Sequence, residues 1–278
     1  MKTDYGTVKI ADNLELDGIS LLVSATGIIG QRGSGKTGLE KVIMEQFIPL
    51  KLPFVAFDRM GILWGLKSSF DGKGKGLPIT VIGGDHADIP LNTKAGAIMA
   101  QAIVRMNTSV ILDFSLESKR AYKQFVSEFG DELIRVNKSP RAVVVDEAPD
   151  LVPQTLRDKD VWAGRAFDTV QRLVTMGRNK GLGAILIAQR VATINKDVLS
   201  QVQSLFVFNQ VDPHDIKAMK DWFQSFGNTP EQKKLLDEMI SALPTLETRN
   251  AYFWSQSTLG GRYSRRSTLP HSRPSTQT

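Results

Sequence analysis

The sequence predicts an α/β domain, one broad and mainly parallel sheet flanked by helices, and three observations carry that expectation. Short apolar runs alternate along the chain with longer segments of helical period. A glycine-rich segment, GQRGSGKT (30–37), stands between an apolar run and a helix-compatible one. A further apolar run, RAVVV (141–145), ends in two adjacent acids.

Eight strands are expected, near 25–30 (ATGIIG), 53–58 (PFVAFD), 79–83 (ITVIG), 109–113 (SVILD), 141–146 (RAVVVD), 183–188 (GAILIA), 204–209 (SLFVFN) and 249–254 (RNAYFW). Each is a short apolar run, the pattern of strands buried on both faces. Helices are expected over 36–48, 93–106, 117–137, 161–179, 212–226 and 230–242. The helix from 161 carries Ala166, Val170, Leu173 and Val174 on one face, as a helix lying on a sheet would. Asp212 before Pro213 is a helix start, with the aspartate as cap and the proline in the first turn. The stretch 68–78, SSFDGKGKGLP, reads as a solvated, glycine-rich basic connection.

Composition bounds the function classes. Of 278 residues 41% are hydrophobic, enough to fill a sizeable core. There is no cysteine and there are three scattered histidines, which excludes disulfides and thiolate metal centres and fits a reducing cytoplasm. The charged N-terminal stretch lacks a signal-peptide apolar core, and no segment is apolar for long enough to span a membrane, so a soluble protein is expected. The net charge is +6, but from Leu259 onward there are four arginines and no acid, leaving 31 basic and 29 acidic residues before it. The expected organisation is one α/β domain over 1–258 and a basic, disordered tail over 259–278, rich in Ser, Thr and Pro.

Gly30, Gly35, Lys36 and Thr37 satisfy the pattern G-x-x-x-x-G-K-[ST] in the strand-to-helix setting that it requires. There the backbone N–H groups of Gly30, Gln31, Arg32, Gly33, Ser34 and Gly35 can curl around an anion at the positive end of a helix. Lys36 would reach the β- and γ-phosphates, and the Thr37 hydroxyl would hold Mg²⁺. Asp146 and Glu147 close the strand RAVVV: the first would assist the metal through its water shell, and the second would polarise an attacking water. A guanine-reading N-K-x-D segment is not evident, since NKDV (195–198) has its aspartate one place early, so ATP is the expected nucleotide. Gln189 ends the apolar run GLGAILIA and would share the carboxyl edge of the sheet, within reach of the γ-phosphate.

The set GQRGSGKT, VVVDEAPDL and GRNKGLGAILIAQR followed by DVLSQV resembles the FtsK/HerA superfamily of DNA-pumping ATPases, and more closely its HerA-like branch. The likeness runs from about Thr26 to about Asp215, and the third segment carries it, because ATP chemistry in general does not require that order of residues. The resemblance implies a RecA-like P-loop core and a ring-shaped homo-oligomer, usually a hexamer, with ATP bound between neighbours and double-stranded DNA in the centre. It also implies that Gln189 senses the γ-phosphate and that Arg178, in MGRNKG, is an arginine finger reaching a neighbour's nucleotide, with Arg172 and Arg190 as alternatives. Family members often carry a β-barrel, membrane helices or a winged helix, none of which this chain has room to match, so the expectation is a minimal motor recruited by a partner. Channel contacts could come from Lys73, Lys75, Arg157 or Lys159. The rival expectation is an ATP-controlled assembly factor for a protein complex that does not pump DNA; a small-molecule kinase is a third.

Overall fold

The computed structural model describes residues 6–68, 74, 76–224, 230–255 and 264–268. Strands β1 (Thr7–Ala11) and β2 (Leu14–Asp17) form an antiparallel hairpin. Its alternation of inward Val8, Ile10, Leu14 and Leu16 around the Asp12–Asn13 turn was available in the sequence as period-2 patterning. Helix α1 (Gly18–Val23) follows, capped by Asp17, whose carboxylate accepts from Ser20 N at 2.8 Å.

The main sheet is built from β3 (Ala25–Ile29), β4 (Phe54–Asp58), β5 (Thr80–Ile82), β6 (Val110–Asp113), β7 (Arg141–Val145), β8 (Leu182–Ala188), β9 (Ser204–Val207), β10 (Asn250–Ser255) and β11 (Ser264–Thr268). Their order is β11-β10-β9-β3-β8-β7-β4-β6-β5. From β9 to β5 every pairing is parallel; β10 and β11 close one side antiparallel. All eight expected strands are therefore in one sheet. The strand β11 falls in the segment expected to be a disordered tail; pairing with the edge of β10 gives its backbone groups partners. The rest of that tail, and Lys73 and Lys75, lie outside the described residues.

The helices are α2 (Lys36–Phe47), α3 (Gly96–Met106), α4 (Lys119–Val136), α5 (Val161–Met176), α6 (Lys196–Ser200), α7 (Pro213–Gln224) and α8 (Pro230–Ala242). Side chains alternate across each strand, so one sheet produces two cores. Ile28, Ala56, Val144 and Ile187 pack with α1, α2 and the β1–β2 hairpin. Phe57, Val145, Leu186 and Val207 pack with α3, α4 and α5 and with the α7–α8 pair. Among the described residues no helix is long and apolar enough to cross a membrane.

Parallel pairing puts the carboxyl ends of seven strands on one edge. The register there places Asp58 opposite Asp113 and Phe57 opposite Val145, and Asp146 N donates to Phe57 O at 3.2 Å. Three aspartates thus stand side by side at the ends of β7, β4 and β6.

Candidate nucleotide site

Residues 30–37 leave β3 and turn into α2, as the spacing predicted. Gly30 has no room for a side chain: a Cβ there would lie 2.4 Å from Phe208 Cβ and 2.7 Å from Ser34 Oγ. Gly35, at φ +118°, is the left-handed residue that opens α2, with Arg249 Cα 3.0 Å from where its Cβ would stand. The loop is also tied down from outside. Gln31 N donates to Asn209 O (2.9 Å), and Arg249 N donates to Ser34 O (2.8 Å). Arg32 and Gly33 face solvent at its tip, and Lys36 is buried beneath, its ammonium bonded across the loop to Gln31 O at 2.9 Å. Burial lowers the Lys36 pKa, while Glu147, Asp146 and Glu40 pull it back up. Thr37 is the second residue of α2 and half-buried.

Asp146 and Glu147 follow β7, one strand away from β8 and two from β3. Asp146 is 7% exposed, and its Oδ2 has no partner among the described residues. Burial, followed by repulsion from Asp58 and Glu147, pushes its pKa up to about 7. Glu147 has a left-handed backbone, φ 53° and ψ 54°, which turns its side chain away from the line of β7. There it meets Gln189, whose Nε2 donates to Glu147 Oε2 at 3.1 Å. The sheet thus brings together the glycine loop, Lys36, Thr37, Asp146, Glu147 and Gln189 on one edge.

Arg178 is elsewhere. It lies in the turn Gly177–Lys180 ahead of β8, at the amino edge of the sheet, and is exposed without a side-chain partner among the described residues. A strand of seven residues separates it from Gln189, roughly 20 Å, so it cannot reach the phosphates of its own chain. Its two alternatives are engaged within the chain: Arg172 with Asp131, and Arg190 with Asp212 and Asp215 at 2.9 Å each. Arg157 and Lys159 are exposed on the connection into α5.

Several neighbours escaped sequence reasoning. Asp58, fully buried, accepts from the N–H groups of Met60, Gly61 and Leu63, and burial raises its pKa to about 6 despite those bonds. Glu40, one turn into α2 from Lys36, is 1% exposed with both carboxylate oxygens unpartnered among the described residues; burial, then Asp146 and Asp58, hold its pKa well above the carboxylate range. The endings FVAFD and VILD were the available signal for Asp58 and Asp113. A cavity of about 390 Å³ between α7 and α8, floored by Phe223, Leu236 and Ile240, shares no residue with this edge.

No family model matches the sequence. Among curated proteins the chain is similar to a probable helicase, MJECL08, of Methanocaldococcus jannaschii, 26% identical over 136 residues. That match takes in 48% of this chain but spans only 23% of the relative. Among solved structures it is similar to the genome packaging NTPase B204 of Sulfolobus turreted icosahedral virus 2 in complex with ATP-gammaS, at TM-score 0.56 and 14% identity over 89% of this chain and 98% of that one. It is similar also to the bacterial conjugative coupling protein TrwBdeltaN70, at TM-score 0.64 and 9% identity over 97% and 89% of the two chains. The pCW3 conjugation coupling protein TcpA with ATPgS gives TM-score 0.54 and 15% identity over 97% of this chain and 66% of that one. The strand order, the glycine loop between β3 and α2, and these likenesses make the fold that of a RecA-like P-loop NTPase.

Proposed function

We propose that the chain is an ATP-hydrolysing motor that moves double-stranded DNA as a ring-shaped homo-oligomer, in packaging, transfer, replication or repair. The observation that carries this reading is the hydrogen bond from Gln189 to Glu147 beside the glycine loop. A site that only binds nucleotide has no need of a carboxylate held next to a γ-phosphate sensor. Amides of the loop and Lys36 grip the triphosphate. Glu147 accepts a proton from the attacking water, and Gln189, while bonded to Glu147, holds that carboxylate aside until a γ-phosphate competes for its amide. The donor set fits a magnesium ion, since Thr37 and the unpartnered Oδ2 of Asp146 supply few ligands and leave the rest to phosphate and water. When bound, the ion neutralises charge that develops between the β- and γ-phosphates. Arg178, exposed and far from its own site, suits a role on a neighbour's nucleotide.

DNA as the cargo is supported by the packaging and conjugative coupling proteins that share the architecture. The test is the ATPase rate at low ionic strength with and without duplex DNA, with particle mass followed by light scattering. Stimulation that fades steeply with salt is expected, because phosphate contacts release counterions. An intact oligomer indifferent to DNA but accelerated by a protein partner would overturn the motor reading in favour of an assembly factor. No turnover at all, equal to that of Lys36→Ala, would remove both.

A further inference from the structure

The side chain of Gln189 is exposed, but its backbone and the residues after it are held by one stretch, 208–215, which is the connection leaving β9 and the first turn of α7. Gln210, 1% exposed, donates from Nε2 to Gln189 O at 3.2 Å. Arg190, the next residue, donates from Nε to Asp215 Oδ2 and from Nη2 to Asp212 Oδ2, both at 2.9 Å. The other oxygen of Asp215 accepts from Ala192 N, also at 2.9 Å. Thr193 then closes a turn on Arg190 O, through N at 3.3 Å and Oγ1 at 2.7 Å.

Asp215 is 1% exposed, and α7 does not need it as a cap. Asp212 already performs that task, accepting from His214 N at 2.8 Å. Both carboxylate oxygens of Asp215 are given instead to the segment that carries Gln189. A buried aspartate is costly unless it is paired, and here the pairing fixes Arg190 and Ala192, the first and third residues after the sensor. The same connection meets the phosphate loop, since Asn209 O accepts from Gln31 N at 2.9 Å. It therefore touches the start of the loop, the sensor backbone and the residues after the sensor, and it continues directly into the α7–α8 pair.

We propose that Asp215, acting through Arg190 and Ala192, is a positioning residue that sets where Gln189 points, so that the seating of α7 decides whether Gln189 restrains Glu147 or turns to the γ-phosphate. The proposal rests on the roles given above to Gln189 and Glu147. A shift of α7 by a fraction of an ångström changes the sensor's bond to Glu147 while leaving the phosphate grip in place, which separates turnover from nucleotide affinity.

Five variants test it: Asp215→Asn, which keeps shape and loses the charge; Arg190→Lys, which keeps the charge at a half-exposed position and loses the fork; Gln189→Ala; and each of the first two combined with Gln189→Ala. Asp215→Asn and Arg190→Lys are expected to lower kcat about tenfold with KM for ATP and Tm little changed. In the Gln189→Ala background neither is expected to slow turnover further, the signature of residues acting through one another. If the losses multiply instead, or if kcat, ATP affinity and Tm fall together in both Asp215→Asn and Arg190→Lys, the clasp is structural and the proposal is overturned. Unchanged turnover in Gln189→Ala alone is a different failure: it removes the sensor role itself, and the positioning role with it.

Discussion

Glu147 sits in a backbone conformation that side chains disfavour, φ 53° and ψ 54°, held between β7 and the turn Ala148–Asp150. Left-handed residues other than glycine cost about 1 kcal/mol or more, and such strain persists where the surroundings impose it. Glu147→Gly should therefore stabilise the protein by roughly 0.5–1 kcal/mol while cutting ATP turnover by about two orders of magnitude, read by chemical denaturation and by phosphate release. A destabilised Glu147→Gly would mean that the side chain, not the backbone, anchors this turn. The glycine loop and the acid pair were legible in the sequence because they are local: a motif spans eight residues and its chemistry is written in them. Glu40 and Asp58 were not, since their importance comes from lying beside Asp146. That proximity depends on β4 and α2 flanking β7, which no local pattern encodes.

Among the elements, α4 and α5 meet closely at Gly130, where a Cβ would stand 2.4 Å from Thr169 Cγ2. Replacing a helical glycine by alanine ordinarily gains up to about 1 kcal/mol. Here the crowding should win, at about 1–3 kcal/mol for overpacking, so Gly130→Ala is expected to lower Tm by several degrees, with partial recovery in Gly130→Ala combined with Thr169→Ser. A rise in Tm would show that the helices separate freely. Long elements with strong period were legible: every expected strand and helix is present, with ends shifted by a few residues. What was missed is short, namely the β1–β2 hairpin, α1, α6 and β11. Such elements bury too little to leave a strong pattern and are fixed by contacts with the sheet.

For the molecule as a whole, buried acids on one edge set a pH dependence. Asp58 and Asp146 hold their protons to about 6 and about 7, above their ordinary 3.8, and Glu40 is raised in the same sense. Between pH 4 and 7 the folded state then binds more protons than the unfolded one, so stability of the nucleotide-free protein should fall as pH rises through that window. Asp58 alone contributes on the order of 3 kcal/mol of this slope at most. The exposed carboxylates held low, such as Asp88 and Asp212, act in the opposite sense but below their ordinary values, outside the window. Urea unfolding at pH 5 and pH 7.5 reads the effect, and Asp58→Asn should flatten it; higher stability at pH 7.5 would contradict the assignment. Assembly has its own test. Mixing Glu147→Gln with Arg178→Ala subunits should restore part of the ATPase activity that each lacks, and no recovery in verified mixed oligomers would count against an arginine acting across the boundary. Strand order, the feature that brings these groups together, lay beyond sequence reasoning because parallel neighbours are joined through long crossovers.

The antiparallel side of the sheet ends in an uneven pair. β10 reads NAYFWS, with Phe253 and Trp254 buried, whereas β11, paired along it, reads SRRST. Cationic residues in an outermost strand discourage a second molecule from adding on, while an aromatic strand with free N–H and C=O groups invites it. A chain cut after Ser255 would expose that aromatic rim and should form sheet-rich aggregates at concentrations where the intact chain stays clear, without any loss from its nucleotide pocket.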